Sequence, residues 1–73
     1  MVTVEEYLKK KGIEVIFNGG YYYNCKYKGN KVGIVSNDGI NNTYTLYIND
    51  EAIMTRALIR TCVGKILNLK EMN

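Results

Sequence analysis

The sequence predicts an α+β fold: a four-stranded antiparallel meander with an N-terminal and a C-terminal helix on one face, in the order α-β-β-β-β-α. Three observations predict it. Helix-capping signals open the chain, an alternation of period two takes over from Ile13, and an apolar repeat of about four residues returns from Met54. With 73 residues the chain can build one domain, 1–73, around one modest core.

The first helix is expected over residues 4–11. Thr3 and Glu6 have the spacing of a capping box, in which each side chain takes up the other residue's free amide, and Val2 with Tyr7 fits the accompanying hydrophobic staple. Lys9, Lys10 and Lys11 suit the negative end of the helix dipole, and Gly12 supplies a left-handed terminator. From Ile13 the apolar Ile13, Val15 and Phe17 alternate with Glu14, Ile16 and Asn18, so a first strand runs into the turn Asn18-Gly19-Gly20.

In the second strand Tyr21, Tyr23, Cys25 and Tyr27 point one way and Tyr22, Asn24, Lys26 and Lys28 the other. Gly29-Asn30 reads as a tight turn into a third strand, Lys31 to Ser36. A longer loop follows at Asn37-Asp38-Gly39 with Asn41 and Asn42, and Thr43 to Ile48, rich in β-branched and aromatic residues, forms the fourth strand. A second helix is expected from about Asp50, capped by Asn49 or Asp50. Met54, Leu58, Cys62 and Ile66 form one apolar row, with Ile59, Val63 and Leu67 beside it. Such a helix is apolar over more than half its circumference, more than one small sheet can cover.

Composition removes several classes of function. Histidine is absent, which excludes Ser-His and Cys-His nucleophile pairs within the chain, and two cysteines alone do not hold zinc. The seven carboxylates are scattered without acid/base or metal spacing, so neither an enzyme nor a cofactor is expected. Cys25 and Cys62 lack a CxxC pattern and read as reduced core residues. The acidic start does not resemble a secretion signal and there is no long apolar run, so a cytoplasmic protein without a membrane partner is expected. Abundant Asn, Lys, Ile and Tyr, with no Pro, His, Trp or Gln, fits an AT-rich coding sequence, as in a low-GC bacterium or its phage.

The net charge of +3 is a mild bias toward an anionic partner. On the side of the sheet away from the helices, Tyr22 and Tyr47 stand among Lys26, Lys28 and Lys31. Rings can stack on bases while lysines follow phosphates, so these five residues are the candidate nucleic-acid-binding set, with Gly33 leaving room for a flat ligand. On the second helix, Ile53, Met54, Arg56, Ala57 and Arg60 are the candidate partner or dimer contacts, because the surplus apolar face invites a second copy of the chain. A small non-enzymatic binding module is therefore expected, contacting nucleic acid through its open sheet face. The alternative is a phage-type protein-binding inhibitor of a host enzyme or defence system, acting as a homodimer.

Overall fold

A computed structural model describes residues 2–38 and 42–72. Helix α1, Val4–Lys10, is one residue shorter than expected and is capped as its sequence dictates. Thr3 Oγ1 accepts from the Glu6 amide at 3.1 Å and the Glu6 carboxylate accepts from the Thr3 amide at 3.0 Å. The helix ends in a Schellman motif: the Gly12 amide donates to the Lys9 carbonyl and the Ile13 amide to the Leu8 carbonyl, each at 3.0 Å. Leu8 and Ile13 then enter the core together. Because Gly12 sits at φ +85, Gly12→Val should lower stability by about 1 kcal/mol or more, read as a lower urea midpoint. An unchanged midpoint would contradict the left-handed terminator.

The sheet has five antiparallel strands rather than four, in the order β1-β2-β3-β4-β5: β1 Glu14–Asn18, β2 Tyr22–Tyr27, β3 Asn30–Asp38, β4 Thr43–Ile48 and β5 Glu51–Leu58. Helix α2 follows as Ile59–Leu67. One face of the sheet carries Tyr23, Cys25, Val32, Ile34, Tyr44, Leu46 and Ile48. Leu8 and Ile13 from the α1 end, with Cys62, Val63 and Ile66 from α2, complete the same buried cluster. Both helices thus cover one face, and the opposite face is left open. Part of the loop expected over 37–42 falls on residues 39–41, outside the described residues, while Asn37 and Asp38 extend β3.

The main correction lies between residues 49 and 58. Asn49 and Asp50 do not cap a helix; both have positive φ, 51 and 70, as the two central residues of a type I′ hairpin turn require. The chain then doubles back on β4, pairing Ile48 with Glu51, Leu46 with Met54 and Thr43 with Leu58. Two irregularities interrupt this pairing, one at Ile53 and one at Thr55 and Arg56, where Arg56 has φ 52. The second bulge sets Met54 and Ala57 three apart, yet both pack on the core side. A bulged strand here imitates helical spacing.

Helix α2 is consequently nine residues long, with Cys62, Val63 and Ile66 on its buried face. The surplus apolar circumference that called for a second chain does not exist. Residues 51–58 of the expected helix are instead strand β5, in which Met54 and Ala57 pack on the core while Ile53 and Leu58 stay exposed.

At the other edge, β1 carries a bulge at Ile16, with Val15 opposite Cys25 and Phe17 opposite Asn24. The extra residue reverses the alternation beyond it, so Phe17, expected in the core, lies exposed on the open face. Tyr21, also expected on the core side, sits outside β2 and is 76% exposed.

The end of the chain is tied back by Asn30. This residue is buried and donates from Nδ2 to the Tyr27 carbonyl at 3.2 Å and the Lys70 carbonyl at 2.9 Å, while its Oδ1 accepts from Asn49 Nδ2 at 3.0 Å. Asn49 Oδ1 in turn accepts from the Lys31 amide at 2.9 Å, and the Met72 amide donates to the Lys28 carbonyl at 2.9 Å. Two hairpin turns and the C-terminal segment are joined in one network.

Candidate functional site

The open face is built as three rows crossing the strands. The first runs from Glu14 to Lys26 to Lys31, the second from Phe17 to Asn24, Gly33, Tyr47 and Ala52, and the third from Tyr22 to Val35 and Thr45. With no side chain at Gly33, the middle row dips. A recess of about 310 Å³ opens there, lined by Tyr22, Asn24, Gly33, Tyr47, Lys31 and Asp50 among others. Tyr22 is 45% exposed and Tyr47 38%, so both rings present surface to the recess. Phe17 supports Tyr22 from the β1 side, with ring centroids 5.6 Å apart and planes tilted by 41°.

The lysines divide. Lys26 is exposed on this face, opposite Glu14 on one side and Lys31 on the other. Lys31 also belongs to the face but forms an ion pair with Asp50 at 2.9 Å; both groups are well exposed, so the pair is weak and open to exchange. Lys28 is not part of the platform. It occupies the β2–β3 turn at φ 51, and its ammonium lies 5.5 Å from the centre of the Tyr27 ring, whose strand position alternates away from the open face.

The expected partner-contact residues are not brought together as one helical patch. Ile53 bulges from β5 and is exposed, whereas Met54 and Ala57 are partly buried against the protein's own core. Arg56 lines a second depression, also of about 310 Å³, with Asn37, Thr45 and Thr55, and Arg60 lies in the first turn of α2 beside a groove formed with Val4, Tyr44 and Leu58. Arg56, on β5, and Arg60, on α2, therefore do not share one helix face.

Sequence reasoning missed Phe17 and Asp50 as members of the site. Phe17 reaches the open face only through the bulge, for which the sequence carries no local marker. Asp50 had a signal: Asn-Asp directly after a β-rich run is a plausible hairpin dipeptide as well as a helix cap.

The buried titratable groups lie on the other side of the sheet. Burial pushes the Cys25 thiol up to about 11 and raises Cys62 as well, so both hold their protons and are poor nucleophiles. Burial, with a smaller contribution from Tyr44, raises Tyr23. On α1, hydrogen bonds from Lys9 and Asn18 lower Glu5, and the bonds to Thr3 lower Glu6. Among the described residues no three of His, Cys, Asp and Glu converge as a metal site, and no helix is long and apolar enough to cross a membrane.

Fold and site together define an α+β protein with an antiparallel sheet covered by helices on one side and an aromatic, glycine-floored recess on the other. Comparison with protein-family models, curated proteins and solved structures finds no match to this chain.

Proposed function

We propose that the protein is a non-enzymatic binding module that takes single-stranded nucleic acid on the open face of its sheet. One observation carries this reading: Tyr22 and Tyr47 flank the Gly33 recess, with Lys26 and the exchangeable Lys31 on the adjoining row. Exposed rings stack on bases of any sequence and nearby ammonium groups follow the backbone. Loss of Lys28 from the platform and the carboxylates beside Lys26 and Lys31 make stacking, rather than charge, the main source of affinity.

This balance has a measurable signature. With about two phosphate contacts, affinity for an oligonucleotide should fall only about sevenfold between 50 and 200 mM salt, less than a strongly basic protein would lose. Fluorescence anisotropy with a labelled oligothymidine measures it. Failure to bind at the low-salt end would exclude the proposal.

The apolar spread around the recess supports a second reading. Phe17 and Tyr21 are more than half exposed beside Tyr22, and Ile16 is exposed on the same edge strand as Phe17, the kind of apolar surface that anchors a protein partner. Under that reading the same face would dock on a host enzyme or defence protein, as a phage-encoded inhibitor does, and binding would be nearly insensitive to salt.

A further inference from the structure

Gly33 occupies an unfavourable place for glycine. It lies inside β3, the middle strand of five, where glycine carries an entropic cost and offers no side chain to pack. The backbone does not call for it, since its φ is not among the left-handed values found at Gly12, Gly20 and Gly29. Nor does crowding. A Cβ at this position would meet only the Tyr47 Cβ at 3.5 Å and Cδ1 at 4.0 Å, which is ordinary van der Waals contact. What glycine supplies is the recess itself.

We infer that the recess over Gly33 is a seat for one flat heterocyclic ring, the base of a nucleotide, held beside Tyr22 and Tyr47 with its edge toward the Asn24 amide. The volume of about 310 Å³ is at the small end of ligand pockets, which run from about 300 to 1,000 Å³, and so suits a single ring system rather than a folded ligand. A side-chain amide offers both a donor and acceptors, the pattern that a base edge requires. Lys31 and Asp50 stand at the rim, where the ammonium can leave its exposed carboxylate partner for a phosphate on the same nucleotide. The inference rests on the proposed nucleic-acid reading and sharpens it, because it makes the ring and not the backbone the recognised part.

Two comparisons test it, both with the full chain and fluorescence anisotropy at low salt. The first sets oligothymidine against an abasic oligonucleotide of the same length, which keeps the phosphates and lacks the rings. The abasic strand is expected to bind about tenfold more weakly or worse, the range of stacking on aromatic side chains. The second uses Gly33→Val, which fills the recess with a side chain that suits a strand; oligothymidine should again bind about tenfold more weakly while the far-UV circular dichroism stays that of the parent.

Full binding by a folded Gly33→Val protein would overturn the ring seat and leave nucleic-acid binding by stacking standing, whereas equal binding of the abasic strand would overturn the seat together with stacking as the main source of affinity. Absence of any oligothymidine binding by the unaltered protein would remove both. If Gly33→Val fails to fold, Gly33→Ala takes its place, since one methyl group enters the recess at ordinary contact distance from Tyr47, and it should weaken oligothymidine binding in the same direction.

Discussion

Leu46→Ala should lower the stability of this protein by about 2–5 kcal/mol, the cost of losing the buried side-chain atoms and leaving a cavity. Leu46 is fully buried in β4, between Ile34 of β3 and Met54 of β5, on the face that receives α2. A chain of this length has a total stability of about 4–11 kcal/mol, so this one change removes a large share of it. Urea unfolding followed by circular dichroism measures the effect. A loss below about 1 kcal/mol would mean that β5 and α2 do not close over Leu46 as described.

The second large effect is expected at Asn30. Asn30→Ala removes the side chain that serves the Tyr27 and Lys70 carbonyls and the Asn49 amide, and it should cost about 1–3 kcal/mol because those buried groups lose their partner. The damage is also local in a readable way. Met72 donates to the Lys28 carbonyl only while the terminal segment lies against the β2–β3 turn. Hydrogen exchange at the Met72 amide should therefore accelerate more than exchange at the Ile34 amide in the sheet interior. Uniform acceleration at both positions would show that Asn30 contributes to the whole fold without holding the terminal segment in particular.

Local chemistry made the first part of the fold legible. The Thr3 and Glu6 box and the Gly12 terminator depend on contacts between residues near in sequence, the strand Thr43–Ile48 is marked by its β-branched and aromatic residues, and each is found where the sequence places it. The open face follows from alternation, which puts Tyr22, Lys26, Gly33 and Tyr47 on one side, as the strand register does. Errors arose where an extra residue breaks the alternation. At Ile16 the bulge sends Phe17 to the open side, and in β5 the irregularity at Thr55 and Arg56 gives Met54 and Ala57 a spacing that mimics a helix. These features are decided by pairing with distant residues, and a window of local sequence does not contain that information. Lys28 was lost for a different reason: the I′ turn begins one residue earlier than the Gly29-Asn30 pair implied, at Lys28 and Gly29.

The same irregularities shape the two rims of the sheet. Both outermost strands, β1 and β5, are interrupted, so neither rim offers a clean ladder of free amides and carbonyls on which another strand could grow. Ribbon-like stacking into fibres is thereby discouraged in a small protein that displays several bare aromatic rings. The exposed rings of Tyr22 and Tyr47 lie away from these rims, on the broad surface of the sheet.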